Sequence, residues 1–341
     1  MKILILKPSS LGDVVLALPV LRLLRQHLPQ AEIYWWIETT FAPLLEGDPD
    51  LNGLVHFNRR EWKSPLNWAE PVRSVRSVRG QHFDWVIDLQ ALARSAAFGW
   101  FANGDLFIGL DDSREWASGF YDIAVRRPAS RHAADWYLEV LPVLGVPVHQ
   151  NFTWLPPRPT IARQIEHKWP AGAHRWIALQ PGARWMTKRW PAEHFAALVR
   201  EFSRAHAEFR FVILGSKADE ELGRTVSSGN PDACLDLTGK TSLVEMIEWI
   251  RACELMVTND TGPMHVATAL GKPLVALLGP TNPLHTGPYR RPHDILQLDL
   301  PCVPCRSERC TNIRDLECLR AILPEKVIVA MEARLRIAGG A

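Results

Sequence analysis

Short apolar runs alternate with longer helix-patterned stretches from one end of this 341-residue chain to the other. A strand buried on both faces reads as a continuous apolar run, and joining two such strands in parallel takes a helical crossover. The alternation therefore confines the chain to an α/β architecture with parallel sheets. In the first half, Lys2–Lys7, Ile33–Ile37, Leu54–Phe57 and Trp85–Leu89 are the predicted strands, with helices over Val14–His27 and Ala91–Phe101. Leu16, Val20, Leu23, Leu24 and His27 fall near one face of the first helix. The rhythm breaks at Trp154–Thr160, where three prolines in four positions favour extended backbone and oppose helix, so we place a linker there.

Beyond the break the pattern restarts with strand Trp176–Gln180, helix Ala192–Ala205, strand Arg210–Leu214 and helix Ala218–Ser227. Helix Leu243–Ala252, strand Leu255–Thr258, helix Pro263–Leu270 and strand Pro273–Leu278 follow, and Pro324–Ile337 closes the chain as an amphipathic helix. The expected organisation is two doubly wound, Rossmann-like domains facing a central cleft: residues 1–153, a linker region at 154–174, residues 175–323, and a terminal helix over 324–341. Hydrophobic residues at 47% and charged residues at 22% suffice for a core in each half. A formal net charge of +2 supplies no field that would select nucleic acid. The opening MKILILKPSS reads as a strand, too short for a signal-peptide core, and no run of about 18 apolar residues occurs. We therefore expect a cytoplasmic protein, with membrane contact limited to peripheral association.

Ligands of doubly wound sheets bind beyond the strand carboxyl ends. That singles out the loops Lys7–Asp13, Gln180–Trp190, Gly215–Glu220 and Asn259–His265. In the first, Gly12 permits a tight turn, and Ser9, Ser10 or Asp13 can cap the following helix. A carboxylate there feels the positive end of the helix dipole and can accept a proton from a sugar hydroxyl; taken alone, an acid at a helix start is more often a simple cap. In the last, Asp260-Thr261-Gly262 precedes a helix opened by Pro263, so unpaired backbone N–H groups stand ready for an anion, with the Thr261 hydroxyl and His265 beside them.

Ser9-Ser10-Leu11-Gly12-Asp13 and Asn259-Asp260-Thr261-Gly262-Pro263-Met264-His265-Val266-Ala267, in that order, closely resemble glycosyltransferase family 9, the ADP-heptose:lipopolysaccharide heptosyltransferases. Asp88-Leu89-Gln90, Arg94-Ser95-Ala96, Lys188-Arg189-Trp190-Pro191 and Gly279-Pro280-Thr281 are similar to the same family, over nearly the whole chain. One departure is Ala91, where the family usually carries glycine. The resemblance implies a GT-B fold and Asp13 as the base that deprotonates the acceptor, with Lys188 assisting at the donor phosphate. It further implies donor contacts from Ser10, Gly12, Thr187, Lys188, Asp260, Thr261, Gly262 and His265. An acid at Asp219 or Glu220 would hold ribose hydroxyls, and we favour Glu220.

Residues 56–80 hold Arg59, Arg60, Lys63, Arg73, Arg76 and Arg79 against Glu61 and Glu70. Arginine forks match phosphates and carboxylates, and Arg59, Arg60 and Lys63 resemble part of the family's acceptor site, which would grip a Kdo-lipid A inner core. Cys302, Cys305, Cys310 and Cys318 supply four soft ligands in a short loop, suited to structural zinc or iron; packing of reduced thiols is the alternative. No Asp-x-Asp stands at a cleft loop, so catalysis is expected to need no metal or other cofactor. The implied reaction is inverting transfer of heptose from ADP-heptose to the lipopolysaccharide inner core.

Overall fold

The computed structural model describes residues 1–58, 69–112, 115–127, 131–170, 172 and 174–339. The chain divides into two compact units, Met1–Pro156 and Pro157–Ala341. Each is built on one six-stranded sheet in which every ladder is parallel.

In the N-terminal unit the strands are β1 (Lys2–Leu6), β2 (Glu32–Glu38), β3 (Gly53–Phe57), β4 (Trp85–Asp88), β5 (Leu106–Asp111) and β6 (Ile123–Arg126), in the order β3-β2-β1-β4-β5-β6. Their longer helices are α1 (Leu11–His27), α2 (Ala69–Arg79), α3 (Ala93–Ala102) and α4 (Ala133–Leu138). β5 and β6 were not expected from the sequence. β5 is interrupted by Gly109, a position where a Cβ would stand 2.2 Å from the Tyr121 ring, so only glycine lets that ring lie against the sheet. β6 is an edge strand whose residues alternate between half-buried and exposed, which leaves no apolar run to find. Helix α1 is buried along most of its length, including Ala17, Leu18, Leu21 and Arg22, rather than along the single face expected. A helix this apolar all round belongs inside a layer. Trp36 stacks on Phe98 with ring centroids 4.4 Å apart and packs beside Phe57, Phe83 and Phe107 in the core. Burying each such aromatic contributes about 1.5–3 kcal/mol.

The C-terminal unit opens with α5 (Pro159–Lys168). This helix lies inside the segment expected to be an extended linker. The proline run does not prevent it, because Pro159 occupies the first helical turn, where its missing N–H has no partner to lose. The strands are β7 (Arg175–Gln180), β8 (Phe209–Ile213), β9 (Cys234–Asp236), β10 (Leu255–Asn259), β11 (Leu274–Leu277) and β12 (Ile295–Leu296), in the order β12-β11-β10-β7-β8-β9. Read from β9, this is the same winding as the first sheet, and the strand order reverses between β7 and β10. The connecting helices are α6 (Ala192–Ala205), α7 (Glu220–Ser227), α8 (Leu243–Ala252) and α9 (Gly262–Ala269), and α10 (Pro324–Gly339) inserts Val327 and Met331 into the same core. β9 and β12, at three and two residues, are edge strands too short to register as periodic runs.

Candidate functional site

Each unit brings expected site residues to the carboxyl ends of its own strands. In the N-terminal unit the β1–α1 turn carries Ser10, Gly12 and Asp13. Asp13 sits in the first turn of α1, where its Oδ2 accepts from the Ser10 hydroxyl at 2.7 Å and the Ser10 backbone N–H at 3.2 Å. Its Oδ1 accepts from the Tyr137 hydroxyl at 3.2 Å. The Lys7 ammonium lies 4.5 Å from the centre of the same Tyr137 ring and donates to the Leu89 carbonyl at 2.9 Å. Three donors and the positive end of the α1 dipole thus face this half-buried carboxylate.

The neighbouring β4 end is built around Asp88, fully buried. Its Oδ1 accepts from the Gln90 N–H at 2.8 Å and its Oδ2 from the Tyr121 hydroxyl at 3.0 Å. Burial pushes the carboxyl up to about 6, against the pull of these hydrogen bonds. Asp88 thereby fixes the turn that leads into α3. Ala91 in that turn has φ +58°, the left-handed region. Glycine would enter it freely; alanine accepts about 1–2 kcal/mol of strain, partly offset by its buried methyl.

In the C-terminal unit, Asn259 at the end of β10 is fully buried and locks the β7–α6 loop. Its Oδ1 accepts from the Trp190 N–H at 3.0 Å, while its amide donates to the Pro181 carbonyl at 2.7 Å. Lys188, on that loop, is paired with Asp260 at 2.8 Å, and the Thr281 hydroxyl donates to the same Asp260 oxygen. Thr187 is buried, with its hydroxyl on the Ser307 carbonyl at 2.9 Å. Thr261 and Gly262 begin α9, and His265 is buried in its first turns.

A cavity of about 440 Å³ opens at this crest. The β7 end contributes Gln180, Gly182, Ala183, Arg184 and Arg189, the β8 end Gly215, Ser216, Ala218 and Asp219, and α8 with its cap Ser242, Leu243 and Met246. Thr261 and Pro263 complete the wall from the β10 side. Asp219 is buried and anchored through Oδ2 to the Ser216 hydroxyl at 2.7 Å and N–H at 2.9 Å, with Arg189 4.0 Å from Oδ1. Gly182 passes so close that a Cβ there would stand 2.5 Å from the Asp219 carboxyl. Glu220, the acid favoured from the sequence, is exposed and does not line the cavity. Adjacent acids diverge by about 100° around a helix start, and spacing alone does not say which one turns inward. Arg184 and Gln180 were not singled out from the sequence; their position at the end of the central strand is the signal that would have found them.

Arg59, Arg60 and Lys63 lie outside the described residues. Arg76 and Arg79 of α2 are exposed. The metal expected at the cysteine cluster is not supported: among the described residues, no group of three or more His, Cys, Asp or Glu side chains is arranged to hold an ion. Cys302 and Cys305 are exposed, Cys310 accepts from the Leu316 N–H, and Cys318 is buried in the core. Burial, with the other three thiols nearby, pushes Cys318 up to about 11. Among the described residues no helix is long and apolar enough to cross a membrane.

Residues 72–314 match the model of glycosyltransferase family 9 (heptosyltransferase). Lipopolysaccharide heptosyltransferase 1 of Pseudomonas aeruginosa is 28% identical, over 98% of each chain. Among solved structures, a family 9 glycosyl transferase from Veillonella parvula superposes with a TM-score of 0.84 at 27% identity, covering 98% of this chain and 97% of that one. The E. coli heptosyltransferase WaaC, solved with ADP, superposes with a TM-score of 0.77 at 25% identity, covering 98% of this chain and 100% of its own.

Proposed function

Because this chain belongs to glycosyltransferase family 9, and so is a glycosyltransferase with the paired α/β units of the GT-B fold, we propose that it moves heptose from ADP-L-glycero-D-manno-heptose onto the Kdo/heptose inner core of lipopolysaccharide. The observation that carries this proposal is the polar cavity at the switch point of the C-terminal sheet, in a chain similar over its full length to a heptosyltransferase solved with ADP. Asp219, buried beneath Gly182, reads the ribose in place of Glu220. Lys188, Arg189 and the Thr261–Gly262 backbone neutralise the diphosphate as it departs. Ser10 and Gly12 shape the turn that holds Asp13. Asp13 accepts the acceptor hydroxyl proton while that oxygen attacks the anomeric carbon from the side opposite ADP, so the anomeric configuration inverts. A mass-spectrometric assay with ADP-heptose and Kdo-lipid A tests the whole scheme. A heptosylated lipid is the expected product, and turnover only with UDP- or GDP-sugars would sink the donor assignment.

Lys188→Ala should weaken ADP binding by about tenfold or more, the value of one charge-assisted hydrogen bond. It should also lower the melting temperature, because Asp260 is left buried without its cation. Calorimetry separates the two effects: a lower melt with unchanged ADP affinity would make Lys188 a purely structural partner of Asp260.

An acceptor anchored in lipid calls for contact with the cytoplasmic face of the inner membrane. Support comes from α3, which packs against the turn Ala117–Phe120 and with it exposes Trp100, Phe101, Trp116 and Phe120. Indole rings favour the membrane–water interface. Replacing both Trp100 and Trp116 by serine should weaken binding to phosphatidylethanolamine–phosphatidylglycerol vesicles, read by co-sedimentation, by about thirtyfold, at roughly 1 kcal/mol per ring. Equal sedimentation of the two proteins would remove this surface from the scheme.

A further inference from the structure

Gln180 is the last residue of β7, at the point where the order of the C-terminal sheet reverses. It is only 5% exposed and lines the cavity, yet its Oε1 has no hydrogen-bond partner among the described residues. Burying an amide oxygen without a donor costs stability that an apolar side chain of the same size would not. Several neighbouring donors are engaged elsewhere. Thr258, its partner in register on β10, donates its hydroxyl to the Asn259 carbonyl, and the Asn259 amide donates to the Pro181 carbonyl. Across the cavity the Ser216 hydroxyl and N–H are both held by Asp219. Among the described residues, none supplies a hydrogen bond to this acceptor on the cavity wall.

The chemistry of that oxygen limits what can reach it. It needs an O–H or N–H, and the diphosphate of a nucleotide at neutral pH offers neither. A ribose offers two hydroxyls, and the acid that commonly reads ribose in such sheets stands on the adjacent strand end, here Asp219. With Oδ2 committed to Ser216, that carboxylate keeps Oδ1 for one hydroxyl. We infer that Gln180 is a specificity-determining residue that accepts a hydrogen bond from the second ribose hydroxyl of the donor nucleotide. This rests on the nucleotide reading of the cavity given above.

The test is calorimetric binding of ADP, 2′-deoxy-ADP, 3′-deoxy-ADP and inosine diphosphate to the wild type and to Gln180→Met, with thermal melts of both proteins without nucleotide. Methionine conserves the volume and needs no partner. The wild type should bind ADP about tenfold more tightly than at least one deoxy analogue. In Gln180→Met that ratio should fall to near one for a single analogue, while the variant melts at or above the wild-type temperature. Equal wild-type affinity for ADP and both deoxy analogues overturns the inference without any variant. So does a preserved ratio in Gln180→Met, a melt well below wild type, or a collapse of the ADP-to-inosine ratio instead, which would assign the oxygen to the adenine amine. A wild type that binds no ADP removes the nucleotide reading itself, and the role of Gln180 with it.

Discussion

Asp13→Asn should lower the rate of heptose transfer by about 10²–10⁴-fold, the span that a positioned general base contributes, while ADP affinity and melting temperature stay near wild type. Asparagine keeps one oxygen for the Ser10 N–H and hydroxyl, and its amide N–H can donate to the Tyr137 hydroxyl in place of the bond that Oδ1 accepted, so the start of α1 is preserved. What it loses is the ability to take a proton. Asp13→Ala should be equally inactive but also less stable, by about 0.5–2 kcal/mol, because the contacts that fix the helix start disappear with the carboxylate. Comparing the pair separates the two roles that an acid at this position can hold. If Asp13→Asn turns over like the wild type, the carboxylate is only a cap, and the base lies elsewhere. A transfer rate that falls in parallel with ADP affinity would also count against the assignment.

The largest effect on stability should follow from Arg22→Leu, with a loss of about 3–5 kcal/mol. Arg22 is 5% exposed on α1 and holds Asp48 with both terminal nitrogens, at 2.6 and 2.5 Å. The same guanidinium reaches Asp50 at 2.6 Å and the Trp154 carbonyl at 3.0 Å. One side chain therefore ties the first helix to the loop before β3 and to the last residues of the N-terminal unit. Removing it leaves Asp48 buried and uncompensated, and the penalty is the desolvation of that charge rather than the value of the pair. Urea unfolding of Arg22→Leu checks the size, and the double replacement Arg22→Leu with Asp48→Leu should recover most of the loss. A single-variant change below about 1 kcal/mol would place this cluster among ordinary surface pairs.

Asp48-Pro49-Asp50 also shows how a sequence pattern changes meaning in three dimensions. Its Asp-x-Asp spacing is the one that could be taken for a metal site, yet both carboxylates are bound by Arg22, 26 and 28 residues away. Cys302, Cys305, Cys310 and Cys318 make the same point from the other side. Their residue types suit a metal, but one thiol is buried in the core while two face solvent.

Local chemistry made much of this protein legible from the chain alone. Strands buried on both faces, such as Ile3–Leu6 and Leu255–Thr258, must be continuous apolar runs, so the α/β class follows from hydrophobicity. Helices with a proline or polar cap at the start announce themselves, as α6 and α8 do at Ala192 and Leu243. Turns that need a glycine and an acid at a helix start pointed to the loops at Asp13 and Asp260. Short edge strands, the burial of α1 on every side and the turning of Asp219 rather than Glu220 into the cavity wall depend on tertiary packing alone. Each depends on which residues from distant segments come to lie alongside: Tyr121 over Gly109, Trp154 against Arg22, Gly182 against Asp219. A pattern along the chain records what each residue needs from its surroundings, and packing decides which neighbour supplies it.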